Sequence, residues 1–460
     1  MAYSSAVVSA VGMSISGINS TTTVPHSSTP AVTNKPLAKS IIIKPDIHYA
    51  SAQRKRISMI LGVQIINFDI FDNDQAGILI DESISPAADA KQRANPMRKL
   101  NALIGRNNTG KTSFMGCLAF MKDCVTDGVT EASISCGRPG FSNMTPDKSK
   151  PSKFKVFFKL GDRETGKADY IQYELSIMAN RFGTPVVSYE RAVMSTRAED
   201  GTYSVSTLLE VKDGDGFVLC PGRDDGKTEE ISLDDDHRTA LSLFGKLRRY
   251  THLCDLYHEI SSWFFCSFSS EEQSSYFTEG GAPGGHKHLN STGSNVGNVL
   301  EFIKQNDEEE YNRIVSEIQS KIPAMKKKKN LPKTLSESPD KLFLYLLLLR
   351  DGSPRSTIFI ETPDKDLYHD MVDVLADEMR EYSIRNRYCQ IVFSTHNPYI
   401  IETMSPKEIW VFTRSFEIES GDVTISCAGD DPLVNEMFSQ GVGMGAIWYG
   451  GYLDPDQKED

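Results

Sequence analysis

The period of apolar and polar positions changes several times along the 460-residue chain. Residues 1–55 keep no period. Ser, Thr and Pro dominate "SGINSTTTVPHSSTPAVTNKP", which predicts a flexible or adaptor-like arm with little apolar surface to bury. From residue 57, "ISMILGVQIINFDIFDN" alternates and is β-branched, which predicts one or two strands. A polar, Pro-containing insertion over 81–98 precedes "KLNALIG", a short apolar strand. "KTSFMGCLAFMKDCV" then has apolar residues at helical spacing. Over 150–235 short strands such as "KFKVFFKLG", "ADYIQYELSIMA" and "TPVVSYERAVM" are punctuated by Gly, Asp and Pro, predicting an antiparallel β-lobe. "RTALSLFGKLRRYTHLCDLYHEISSWFF" reads as a long helical stretch. After a Gly-rich loop at 279–285, "GSNVGNVLEFIKQNDEEEYNRIVSEIQSKIP" is helical again. No heptad persists, so no long coiled-coil arm is predicted.

The last third alternates buried strands with helices. "KLFLYLLLL" is a buried helix, "RSTIFIE" a strand, "LYHDMVDVLADEMREYSI" a helix, and "RYCQIVFSTHN" and "EIWVFTR" two further strands. That alternation predicts a largely parallel sheet, hence an α/β fold with an antiparallel β-lobe and an inserted helical region. The expected organisation is an arm over 1–55, a first part of the α/β domain over 56–150, the β-lobe over 151–235, a helical insertion over 236–330 and the second part over 331–460.

A net charge of −12 argues against a uniformly basic coat for nucleic acid, while leaving room for a local basic groove. No apolar run is long enough to span a membrane. The mildly apolar "AVVSAVGMSISGI" near the start follows no Lys or Arg, so no secretory signal is expected. The eight cysteines form no C-x-x-C pair, and the expectation is reduced thiols in a cytoplasmic protein.

The strand–loop–helix at "LNALIGRNNTGKTSFM" carries the candidate chemistry. Gly105 and Gly110 let backbone N–H groups turn toward phosphate oxygens, with Asn107, Asn108, Thr109 and Ser113 completing the cradle. The following helix presents its positive end to the same anion. Lys111 is placed to reach β- and γ-phosphates and Thr112 to ligate Mg²⁺. Glu361 ends the apolar strand "STIFIE", which suits the magnesium side of such a site. His396 follows the buried strand "QIVFST", which also delivers Ser394 and Thr395, and is placed to touch a γ-phosphate. Ser336 opens a helix, its plainer role. Facing the γ-phosphate of a second subunit is the alternative. The run "KKKK" at 326–329 reads first as a solvated loop, with a DNA or phosphate contact second; "HKH" at 286–288 is not expected to bind metal. No N-K-x-D motif is present, which disfavours a GTPase.

These elements, in this order, resemble the ABC-type ATPases of the RecF-like and OLD-like branch over roughly 57–455. "IINFDIFD" resembles the family's opening hairpin, "LIGRNNTGKTSF" its phosphate loop and "GSNVGNVL" a helix start. "IFIETP" stands at its I-E-E-P, "FSTHNPYII" at its T-T-H-S-P, and "GMGAIWYGGYL" is similar to a tail of stand-alone members. The resemblance implies ATP and Mg²⁺ as ligands. It implies a dimer, or a higher even-numbered homo-oligomer, in which Leu335-Ser336-Glu337-Ser338 completes the partner's site. Two positions depart from the pattern: Ser338 replaces the signature Gly, and Thr362 replaces the second carboxylate. A Thr hydroxyl is a far weaker base, so hydrolysis is expected to slow by a factor on the order of 10²–10⁴ unless Asp364 or Glu361 substitutes.

By the same resemblance, the expected function is a sensor or scaffold in antiphage defence, as in systems of the PARIS type. Such an ATPase controls a separately encoded nuclease or toxin, and its trigger is DNA or a phage protein. OLD-like proteins often continue into a Toprim nuclease, for which the roughly sixty residues after His396 leave no room. The alternative is a RecF/SMC-like DNA-repair ATPase that grips DNA. A transporter ATPase fits the β-lobe and tail poorly.

Overall fold

The computed structural model describes residues 56–79, 95–162, 168–197, 203–220, 227–268, 287–322, 338–386, 389–414 and 423–453. The arm at 1–55, the lysine run at 326–329, His286, and Leu335, Ser336 and Glu337 of the signature lie outside them.

The first alternating segment is a hairpin of β1 (Arg56–Phe68) and β2 (Phe71–Gly77). Its turn places Asn67 and Asp69 at positive φ, a conformation that Asn and Asp tolerate better than most residues. The Asn67 side chain then fixes the turn: it donates to the carbonyls of Asp147 and Lys150 and accepts from Asp147 N–H. After β3 (Leu100–Ile104) come α1 (Lys111–Thr126), α2 (Val129–Ile134) and α3 (Phe141–Met144). The predicted lobe is present as β4 (Ser152–Asp162), β5 (Ala168–Ala179), β6 (Pro185–Arg197), β7 (Tyr203–Lys212), β8 (Asp215–Leu219) and β9 (Thr228–Ser232). The opening hairpin joins it, giving one eight-stranded antiparallel sheet in the order β2-β1-β4-β5-β6-β7-β8-β9.

The region 236–330 is less uniformly helical than the sequence implies. It holds α4 (Ala240–Phe244), α5 (Thr251–Ser262), α6 (Val296–Asn306) and α7 (Glu308–Lys321), but also strand β10 (Phe264–Cys266). The first long stretch breaks at Gly245, where an added Cβ would lie 2.6 Å from the Leu241 carbonyl. The second breaks at Asp307, whose extended backbone ends α6 and whose side chain caps α7 through Glu310 N–H. The aromatic run at 263–265 leaves the helix because it pairs in parallel with the carboxylate strand and stacks Phe265 on Phe359 at 4.4 Å.

Then come α8 (Ser338–Leu348), β11 (Thr357–Ile360), α9 (His369–Arg385), β12 (Gln390–Ser394), β13 (Ile409–Arg414), β14 (Val423–Cys427), α10 (Pro432–Ser439) and α11 (Met444–Tyr449). The second sheet runs β10-β11-β12-β3-β13-β14, parallel throughout except for the antiparallel edge strand β14. The result is a mixed α/β fold. Helix α1 is buried nearly all round, as a helix enclosed between two layers must be. Phe114 packs against Phe412 of the parallel sheet, and Phe120 against Phe154 of the lobe. The other face of the parallel sheet is covered by an apolar cluster that includes α8 and α9.

Two buried polar side chains tie the layers together. Gln390 accepts from Ile60 N–H and donates to the Ile60 and Arg98 carbonyls, so it substitutes for a strand partner between β1 and β12. Glu190 on β6 accepts from Tyr173 OH and from the N–H groups of Ala240 and Leu241, which begin α4. Full burial pushes its carboxyl up to about 7. A folded-state value raised above the unfolded one gives stability that is present below about pH 4.5 and lost as pH rises toward 7. The cost should reach about 3 kcal/mol between those limits. Denaturant titrations at pH 5 and 7 should therefore show wild type losing more stability with pH than Glu190→Gln; equal losses would contradict the assignment.

Candidate nucleotide site

β3, β11 and β12 run parallel, so their carboxyl ends share one edge, where such sheets bind ligands. β3 opens into the loop Gly105–Gly110. Gly105 and Gly110 have φ of 138° and 106°, and Asn108 has 62°. An added Cβ on Gly105 would lie 2.1 Å from the Phe412 carbonyl, so glycine is required there for both conformation and space. The Thr109 hydroxyl donates to the Arg106 carbonyl and closes the turn, while Asn107 and Asn108 are exposed.

Lys111 is 5% exposed. Its Nζ lies 2.9 Å from the Gly105 carbonyl and 2.6 Å from that of Arg106, folded back over the loop. Burial lowers its pKa to about 8. Gly110 precedes α1 without a side-chain cap, leaving the positive helix end facing the loop. Thr112 and Ser113 occupy the first turn, both half-buried.

Glu361 sits one residue past β11, and its Oε1 accepts from the Thr112 hydroxyl at 2.6 Å. Thr362 has φ of 40°, strained for a β-branched residue, and its N–H donates to Ser394 Oγ at 3.1 Å. Asp364 lies near the Thr395 side chain, and its Oδ1 is buried with no hydrogen-bond partner among the described residues. Burial raises the Asp364 pKa, with Lys341 pulling the other way. The His396 ring lies beside the Gly105 backbone. Loss of solvent on its packed side and the nearby Lys111 charge both lower its pKa, which favours neutral imidazole.

The structure thus brings Gly105, Lys111, Thr112, Glu361, Asp364 and His396 to one edge. Ser336, the candidate contact to a second subunit, lies outside the described residues. Lys341 was not singled out by the sequence. It is buried in the first turn of α8, donates to the Lys365 carbonyl and lies 3.6 Å from Asp366. Its only signal was a charge opening an otherwise apolar run.

Residues 340–402 match the family described as "AAA domain, putative AbiEii toxin, Type IV TA system". That stretch includes Glu361, Asp364 and His396 but not the phosphate loop. No curated protein matches the chain. Solved structures similar to it include an SMC head bound to the C-winged helix domain of ScpA, at 12% identity and TM-score 0.38, covering 80% of this chain and 97% of that one. An SMC head domain from Thermotoga maritima gives 12% and 0.35, covering 80% and 98%. A further SMC head with an extended coiled coil, bound to the C-terminal domain of ScpA and derived from Pyrococcus furiosus, gives 12% and 0.34, covering 83% and 100%. Among the described residues, no helix is long and apolar enough to cross a membrane.

Bound phosphate favours the charged form of Lys111, so ATP binding should draw a proton above its lowered pKa. Affinity should stay flat up to about pH 7 and fall beyond 8, approaching tenfold per pH unit. Calorimetry at pH 7, 8 and 9 should show this slope in wild type and little of it in a weaker-binding Lys111→Arg; a flat wild-type profile would contradict it.

Proposed function

We propose that the protein is an ATP-binding, ABC-type ATPase that hydrolyses slowly. In this reading ATP serves chiefly to hold a homodimer, or a higher even-numbered homo-oligomer, together. The observation that carries it is the convergence of Lys111, Thr112, Glu361 and His396 on one sheet edge, with Thr362 where a second carboxylate would be expected.

The residues suit Mg-ATP. Lys111 and the α1 N-terminus supply positive charge to the phosphates. Thr112 and Glu361 offer adjacent hard oxygen donors, the kind Mg²⁺ takes. A magnesium ion held by Thr112 and Glu361 would supply charge neutralisation to the phosphates. Neutral His396, beside the Gly105 backbone and Lys111, is placed to sense the terminal phosphate.

Proton removal from an attacking water is the weak step. The Thr362 hydroxyl does not ionise near neutral pH, and Glu361 is engaged by Thr112. Asp364 is the carboxylate left to act, with a buried oxygen lacking a partner and a pKa moved toward neutrality. One residual base in place of a dedicated one supports turnover well below that of brisk ATPases.

The biological reading is a cytoplasmic sensor or scaffold of antiphage defence, of the OLD-like or PARIS type. It would hold a separately encoded nuclease or toxin until DNA or a phage protein triggers release. The family resemblance supports it. So does the match over 340–402 to a family described by a toxin of a toxin–antitoxin system.

Steady-state turnover of the purified protein should fall below roughly 0.1 per second, against about 10 for a typical enzyme. Thr362→Glu should raise it at least tenfold, and Asp364→Asn should lower what remains. Mass in solution should increase with ATP in wild type and not in Lys111→Ala. Wild-type turnover of 1–10 per second would sink the slow-clamp reading, and stimulation by DNA would favour the DNA-repair alternative.

A further inference from the structure

A second cleft, of about 740 Å³, opens at the opposite, amino-terminal edge of the parallel sheet. Arg98 and Lys99 line it just before β3, Cys389 just before β12, and Ser405, Lys407 and Glu408 just before β13. Its other walls are α9, through Arg380, Ser383 and Ile384, and the lobe, through Met59 and Lys159, which are cross-strand partners on β1 and β4.

Charge in this cleft is one-sided. Five cations line it against one carboxylate, Glu408, which Arg380 holds at 2.6 and 2.8 Å. Lys99 donates to the Ser383 carbonyl near the end of α9, where a cation complements the helix dipole. Those contacts account for Arg380 and Lys99. They leave Arg98, Lys159 and Lys407, none of which forms an ion pair with a described carboxylate. Converging cations repel one another, and this chain carries an excess of negative charge with which to pair them.

The cationic wall is also fixed in place. Asn101 bonds both Arg98 N–H and its carbonyl, Gln390 bonds that carbonyl again, and Ile391 N–H takes the Lys99 carbonyl at 2.7 Å. Two side chains therefore leave from a backbone that cannot shift, which lowers the ordering cost of binding.

We propose that this cleft binds a small polyphosphorylated anion of nucleotide size, at a site distinct from the phosphate loop. The volume falls in the range of small-molecule sites. The apolar surfaces of Met59, Ile384 and Cys389 suit a ring, and the basic residues suit two or three phosphates. Duplex DNA fits less well: salt-sensitive DNA grips of the usual strength distribute about 6–10 phosphate contacts along a surface, whereas these cations surround one concavity. Because β3 and β12 run from this cleft to the phosphate loop and to His396, the ligand is placed to influence the opposite edge.

The test uses the full chain carrying Lys111→Ala, which disables the phosphate-loop lysine, and inorganic tripolyphosphate as probe, titrated by calorimetry without magnesium. One site per chain is expected, weakened about tenfold or more by Lys407→Glu and by Lys159→Gln, with unfolding midpoints unchanged. No binding, or binding indifferent to both substitutions, would overturn the proposal. So would a 16-base-pair duplex that binds more tightly than the probe through the same two lysines; the cleft would then be a nucleic-acid contact.

Discussion

The hydrogen bond between Thr112 and Glu361 joins residues 249 positions apart and marks where the candidate site's two halves meet. It exists because β11, β12 and β3 are consecutive parallel neighbours in one sheet, so their carboxyl ends rise together. Glu361 then faces the first turn of α1. Thr362 and Ser394 hold the β11–β12 exit, and Thr395 N–H bonds the Leu103 carbonyl beside the phosphate loop. Each strand fixes its neighbour's terminal residues. A carboxylate, a hydroxyl and an imidazole that are distant in sequence therefore meet without a long side-chain reach.

The lobe serves that edge from behind. Helix α1 lies in an apolar layer between the two sheets, so the phosphate loop emerges from an element with little room to move. Phe71 and Ile70 of the opening hairpin press on Gly110, where an added Cβ would lie 2.8 Å from Ile70 Cδ1. Gln390 ties β1 to β12 at the far end. The tail closes the same edge from outside: Glu402, shortly after His396, accepts from Ala446 N–H, and a Cβ on Gly443 would lie 1.9 Å from its carboxylate. Gly443 and Gly445 of "GVGMGAIWYGG" are thus explained by close approach to Glu402, while Gly441 and Gly451 take positive φ.

Much of this was legible in the sequence because it is local. A strand, a Gly-rich loop and a helix follow one another at 100–126, and apolar strands that end in Glu361 and His396 announce themselves by a sharp change of polarity. What was not legible depends on distant partners. β10 is three residues long and reads as the continuation of a helix until β11 pairs with it. β14 is an edge strand whose half-exposed pattern resembles a loop. The union of the opening hairpin with the β-lobe is a pairing of β1 with β4 across more than eighty residues. Lys341 and Gln390 looked like single polar interruptions of apolar runs, and their roles follow only from the carbonyl and amide groups they meet.

The account stands most directly on Thr112 and Glu361 forming the metal side of an ATP site. The decisive measurement is the gain in ATP affinity on adding Mg²⁺, compared between wild type and Glu361→Gln. The account predicts that Mg²⁺ tightens binding by about tenfold or more in wild type and much less in the variant, with metal-free affinity nearly unchanged. An equal gain in both proteins would contradict it, because Glu361 would then have no part in holding the metal.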